Sequence, residues 1–159
     1  MKIILGIDPG YARLGWGVIA SDSFGYRLID YGCIETPKEE ELPQRLAILD
    51  SELKTIIEKH NPNDIAIEEL FFAKNAKTAI NVAHARGVIF LRAVHHSGRI
   101  YQYKPNQVKQ ATTGIGNADK KQVMDMVKRI LNLREVIKPD DAADALAVAI
   151  THAAYIRRS

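Results

Sequence analysis

A single cysteine, Cys33, occurs among 159 residues, so no intramolecular disulfide can form. Histidine is sparse too: His60, His84, His95, His96 and His152 have no His or Cys partners at zinc-ligand spacing, which leaves no case for a zinc site. No apolar stretch is long enough to span a bilayer. The N-terminus opens directly on a strand pattern and shows no signal-peptide pattern, so a cytoplasmic location is expected. Linkers, repeats and low-complexity tracts are missing as well. With 47% hydrophobic and 26% charged residues, the chain fits one globular domain over residues 1–159 with a sizeable core.

One further absence is local. No Asp or Glu occurs between Glu69 and Asp119, whereas that interval carries Lys74, Lys77, Arg86, Arg92, Arg99, Lys104 and Lys109. The segment from Glu35 to Glu58 is the reverse, with Glu35, Glu39, Glu40, Glu41, Asp50, Glu52 and Glu58. A net charge of +3 says little alone, but this separation gives two surface regions of opposite sign, one of them suited to a polyanion.

The acidic residues that matter most stand at the ends of apolar segments. Asp8 closes Ile3-Ile4-Leu5-Gly6-Ile7, a strand apolar on both faces and broken at once by Pro9-Gly10. Glu68 closes Ile65-Ala66-Ile67, and strand alternation sets it on the Ala66 face and Glu69 on the other, so only one of the pair can enter a site. Asp141 and Asp144 open an alanine-rich apolar helix after Pro139 and, three apart, share a face. Each could instead serve a helix dipole or a solvated turn. Buried near one another, however, carboxylates require a cation, and hard oxygen ligands favour Mg²⁺ or Mn²⁺.

Periodicity predicts strands over residues 3–8, about 13–20 and about 26–35, joined by short turns as an antiparallel meander. It then predicts a helix over 43–60, a strand ending at Glu68, a helix over 75–96, a strand over 100–103, and helices near 106–112, 119–132 and 139–156. A meander followed by alternating strands and helices implies an α/β fold, a mixed sheet with helices on both faces.

Several strings then carry a resemblance in order along the chain: Ile4-Leu5-Gly6-Ile7-Asp8-Pro9-Gly10, Ala66-Ile67-Glu68, Ala73-Lys74-Asn75-Ala76, Ala85-Arg86-Gly87, Gln107-Val108-Lys109-Gln110, Gly114-Ile115-Gly116 and Asp141-Ala142-Ala143-Asp144-Ala145-Leu146-Ala147. Together they closely resemble the bacterial RuvC family of Holliday-junction resolvases. The resemblance implies an RNase H-like fold with strand order 3-2-1-4-5, strand 2 antiparallel, and a homodimer. It also implies Mg²⁺-dependent paired incision of four-way DNA junctions in recombination and repair, leaving 5′-phosphate and 3′-hydroxyl ends. RuvA and RuvB are the implied partners in branch migration.

Carried over by position, Asp8, Glu68, Asp141 and Asp144 are the expected catalytic and metal-binding residues, with Asp140 and Glu69 as neighbours. Two ions about 3.5 to 4 Å apart activate water, orient the phosphate and stabilise the leaving oxygen in such sites, and Asp8 is expected to bridge them. Lys109 and Lys120 match basic positions near the site; Lys74 and Lys77 belong to the acid-free interval and are expected on DNA. Gly114 and Gly116 either offer backbone N–H groups to a phosphate or form a helix cap and turn. Phe71 matches an aromatic expected to stack on an opened base, while Phe72 is expected in the core. Ala76, Ala79, Ile80, Ala83, Gly87, Phe90, Leu91 and Val94 form a broad helix face that the resemblance makes the dimer interface.

Other classes fit less well. An actin-like ATPase or sugar kinase also opens on a strand and a Gly-Ile-Asp-x-Gly turn, but 159 residues leave no room for a second lobe. A non-catalytic junction binder has no use for carboxylates that repel phosphate. An RNase H-like nuclease acting on RNA is the nearest rival.

Overall fold

The computed structural model describes residues 1–69, 76–96 and 99–157. A central mixed sheet is built from β1 (Lys2–Asp8), β2 (Arg13–Asp22), β3 (Gly25–Glu35), β4 (Asp64–Glu68) and β5 (Arg99–Tyr103), with α1 (Leu42–His60) before β4 and α2 (Ala76–His95) before β5. The chain then forms α3 (Pro105–Thr113), α4 (Lys120–Ile130) and α5 (Asp140–Ile156). The strand order β3-β2-β1-β4-β5 is the expected one, with β2 antiparallel to both β1 and β3, and β4 parallel to β1 and β5.

Strand alternation divides the core into two layers. Leu5, Ile7, Val18, Ile65 and Ile67 face α1 and α2, where Leu49, Leu53, Ile56, Ile57, Ala85, Ile89 and Ala93 cover them. Ile4, Ile19, Ala66 and Tyr103 face the opposite layer, filled by α4 and α5 with Val123, Met124, Val127, Leu146 and Ile150. A polar link crosses this second layer: the buried His152 of α5 pairs with the Tyr103 hydroxyl at 2.8 Å and with Asp64 Oδ2 at 3.1 Å. Lys2 Nζ reaches the same Asp64 oxygen at 3.2 Å. Buried polar groups are tolerated when partnered in this way.

The position of α5 depends on small residues. A Cβ added to Gly6 would lie 2.1 Å from Ala145 O, one on Gly15 would lie 2.0 Å from Asp141 O, and one on Gly17 would lie 2.5 Å from the Leu146 side chain. Ala142, Ala143, Ala145, Ala147 and Ala149 are all buried along the helix. Backbone therefore packs on backbone, and the start of α5 comes down beside the ends of β1 and β2.

The two apolar faces of α2 separate more sharply than periodicity implied. Ala79, Ala85, Arg86, Ile89 and Ala93 turn inward. Ile80, Leu91 and Val94 are 58%, 58% and 65% exposed, with Ala76, Ala83 and Gly87 on the same outer side. Ala79 and Phe90, counted with the outer face from sequence, belong to the inner side: Ala79 is buried and Phe90 packs on the sheet-side core.

Gly6→Ala is expected to destabilise the protein by about 1–3 kcal/mol, since the added methyl must push helix backbone away. Thermal denaturation checks this, and an unchanged melting temperature would mean that α5 is free to shift.

Candidate active site

Asp8 and Glu68 end adjacent parallel strands, whose pairing runs up to Ile7 opposite Ile67. Both extend on the α5 face, as do Gly6 and Ala66 before them. Pro139 precedes α5 and Asp140 and Asp141 fill its first turn, where they complement the helix dipole. The four carboxylates expected from sequence thus gather at one rim of the sheet.

Their electrostatics record that crowding. The Asp8 carboxyl is pushed up to about 8, first by its burial and then by the charges of Asp144, Glu68 and Asp141. Glu68 is also raised, by burial and then by Asp144, against the lowering charges of Lys109, Arg86 and Lys120. Asp144 is raised mainly by burial, although Lys120 Nζ, 3.0 Å from its Oδ2, pulls the other way. Lys120 itself ends up raised: burial lowers it, but the hydrogen bond it donates to Asp144 and the charges of Asp144, Asp140 and Asp141 outweigh that.

Asp141 is engaged differently. Arg13 Nε donates to its Oδ2 at 3.0 Å, and Arg13 Nη1 lies 3.1 Å from Glu35. Asp140 stands outside the cluster, bonded to Lys138 at 2.8 Å and 3.7 Å from Lys120. With Asp141 and Asp144 held by the chain's own cations, no group of three or more acidic, His or Cys side chains among the described residues already converges as a metal cage. The donor set nonetheless fits a hard divalent ion: oxygen only, four carboxylates, one of them unable to ionise readily at neutral pH without added positive charge.

Beside the carboxylates lies a cleft of about 210 Å³ lined by Glu68, Asp144, Lys109, Lys120, Pro105, Val108, Val123 and Ala147. Local structure aims the two lysines into it. Pro105 starts α3, with Lys104 N donating to Gln107 Oε1 at 2.8 Å. Asp119 caps α4 through a reciprocal pair with Gln122, both bonds 2.8 Å, which makes Lys120 the first residue of that helix.

The remaining expected DNA contacts are scattered. Gly114 adopts φ 77° at the end of α3, and its N–H donates to Gln110 O at 2.9 Å, so the turn alternative describes this residue. Lys77 is exposed at the start of α2. Phe71, Phe72 and Lys74 lie outside the described residues.

Sequence reasoning passed over Arg13 and Lys138. Arg13 had a legible signal: it precedes Gly15 and Gly17 at alternate positions of β2, the face on which α5 packs. Lys138 gave none beyond its place next to Pro139.

Sheet order and layering define the RNase H-like class of nucleases and resolvases. A profile described as "Crossover junction endodeoxyribonuclease RuvC" matches residues 4–152. The crossover junction endodeoxyribonuclease RuvC of Alkaliphilus oremlandii is 54% identical over 151 residues, covering 95% of this chain and 92% of that protein. That of Halothermothrix orenii is 52% identical over 150 residues, covering 94% and 91%. Among solved structures, Thermus thermophilus RuvC in complex with Holliday junction substrate superposes with a TM-score of 0.94 at 36% identity, covering 99% of this chain and 96% of that one. The yeast mitochondrial Holliday junction resolvase Ydc2, 17% identical with a TM-score of 0.73, shares the fold. The chain belongs to the RuvC family of crossover junction endodeoxyribonucleases.

A carboxyl raised by folding binds its proton more tightly in the folded chain. Its contribution to stability is therefore complete below the ordinary value of 3.8 and is lost as pH rises through about 8. In chelator, the melting temperature of the wild type is expected to fall between about pH 5 and about pH 8, and Asp8→Asn to flatten that fall and melt above the wild type at the alkaline end. Parallel pH profiles for the two proteins would argue against a strained Asp8.

Proposed function

We propose that this protein is a structure-selective endodeoxyribonuclease that resolves four-way DNA junctions by paired, divalent-metal-dependent hydrolysis in recombination and repair. The observation that carries the reading is the electrostatically coupled cluster of Asp8, Glu68, Asp141 and Asp144, two of whose members, Glu68 and Asp144, line a cleft together with Lys109 and Lys120. Kinship with a RuvC bound to Holliday junction substrate supports the choice of DNA junction over RNA.

Asp8, Glu68, Asp141 and Asp144 are the residues that would hold two Mg²⁺ ions, or Mn²⁺ in their place. Such ions, when bound, lower the pKa of water and stabilise the oxygens of an in-line displacement at phosphorus. The chain's own residues do the rest. Lys109 and Lys120 act as point charges on the scissile phosphate and its transition state. Lys120 leaves Asp144 for phosphate as DNA enters, and Arg13 orients Asp141. Phe71 stacks on a base opened at the crossover, and Lys74, Lys77 and the Gly114–Gly116 turn track the backbone. The products keep a 5′-phosphate and a 3′-hydroxyl and can be ligated.

Residues 1–159 act as one nuclease domain, and two copies act together. The exposed stripe of Ile80, Leu91 and Val94, with small Ala83 and Gly87 between, supports a homodimer through α2. A two-fold enzyme matches a two-fold junction. RuvA and RuvB are the proposed partners. Among the described residues no helix is long and apolar enough to cross a membrane, and the proposed location is cytoplasmic.

Asp8→Asn, Glu68→Gln and Asp144→Asn are expected to abolish cleavage of a labelled synthetic junction while sparing its binding, because removing negative charge does not weaken attraction to phosphate. Glu69→Gln and Asp140→Asn should retain most activity. An active Asp8→Asn enzyme would overturn the site, and an active Asp141→Asn beside a dead Asp140→Asn would move it by one residue. An RNA substrate in the same assay tests the rival.

Ala83→Glu should place charge and bulk across the α2 contact and give monomers by sedimentation. On a cruciform plasmid these should leave nicked circles in place of linear product. A monomeric wild type would count against paired incision.

A further inference from the structure

The end of β4 is held in an unusual way. The β1–β4 ladder stops at Ile7 opposite Ile67, so Glu68 keeps a strand neighbour on one side only, Tyr103 of β5. The peptide group between Glu68 and Glu69 is nonetheless fixed at both of its polar atoms. Its N–H donates to Tyr103 O at 2.8 Å. Its carbonyl accepts from Arg86 Nη1. The same guanidinium donates through Nη2 to Gln102 Oε1 at 2.6 Å and lies 5.2 Å from the centre of the Phe90 ring. Arg86 is only 8% exposed and belongs to the inner side of α2. Its described hydrogen bonds go to a backbone carbonyl and an amide, not to a carboxylate. A planar fork with fixed donor directions suits that task, and a point-charge lysine does not.

We propose that Arg86 is a positioning residue for Glu68: by clamping Glu68 O against Gln102 from beneath the sheet, it sets the direction in which the Glu68 carboxylate leaves the end of β4. The inference rests on Glu68 being a metal ligand, as argued above, and adds the part of α2 that aims it. Arg86 does not touch the reacting groups. Its positioning effect passes through the Glu68 peptide, while its charge acts on the Glu68 carboxylate in the opposite sense.

Charge and geometry predict opposite signs, which makes the test decisive. Removing a cation near a carboxylate cluster should tighten the binding of a divalent ion. Losing the clamp should loosen it. Mn²⁺ affinity of the DNA-free protein, read by electron paramagnetic resonance, is expected to fall about tenfold in Arg86→Gln, the usual cost of releasing a group that orients a metal ligand. Arg86→Lys should not restore it. Junction affinity in chelator should stay at the wild-type level while the cleavage rate at saturating Mn²⁺ drops. Gln102→Leu, at an exposed strand position, changes no charge and should shift Mn²⁺ affinity in the same direction by less. Equal or tighter Mn²⁺ binding by a folded Arg86→Gln protein overturns the proposal. If that variant does not fold, an unchanged affinity in Gln102→Leu overturns it instead. Glu68→Gln separates the two levels: if it binds Mn²⁺ like the wild type, Glu68 is no ligand and both fall. If it weakens binding while the Arg86 and Gln102 variants do not, only the positioning role falls.

Discussion

The close approach of α5 to β1 and β2 is the contact on which the active site depends. Carbonyl oxygens of Asp141 and Ala145 sit where side chains at Gly15 and Gly6 would be, so the helix rides directly on the sheet. Its first turn then comes level with the end of β1, and Asp141 and Asp144 come within electrostatic reach of Asp8. A larger residue at any of these strand positions would lift the helix start and draw the coupled carboxylates apart. The alanines of α5 serve the same end from the other side, giving up side-chain volume so that the backbone can descend.

The proximity has an electrostatic cost, and the chain offsets part of it with its own cations. Lys120 meets Asp144, Arg13 meets Asp141, and Lys109 acts on Glu68 from the cleft wall. Asp8, at the centre, is held far above the usual carboxylate range first by its burial and then by the charges of Asp144, Glu68 and Asp141, against which Lys120 gives only partial relief. Under the proposed function the same cations would attract a phosphate, so the groups that neutralise the cluster in the free protein are also those offered to substrate.

Much of this was legible beforehand. Each predicted strand and helix exists, with ends shifted by a residue or two, because prolines and glycines mark the breaks and the apolar periods are clear. Strand alternation set Glu68 and Glu69 on opposite faces, while the choice of Glu68 and the order of the sheet followed from the family resemblance. What could not be read was which partner each charge takes. Arg13 and Asp141 are brought together by the register of β2 against α5, a tertiary fact without a local signature, although the Gly15 and Gly17 alternation hinted at the face. The burial of Arg86 within an otherwise basic, solvent-facing interval was equally hidden, since composition there reads as exposed. Periodicity also blurred α2, whose inner and outer apolar stripes adjoin.

The carboxylates enter the chain in three instalments: Asp8 at the end of the first strand, Glu68 at the end of the fourth, and Asp141 with Asp144 on α5. None of these segments is sufficient alone, and the pair on α5 reaches the others only after that helix has settled across strands made far earlier in synthesis. The hydrolytic centre is therefore a late product of folding, with contacts of very high sequence separation. A partly made or partly folded chain holds no assembled carboxylate cluster. For a crossover junction endodeoxyribonuclease, tying the assembly of this cluster to completion of the whole architecture is a safeguard written into the order of its elements.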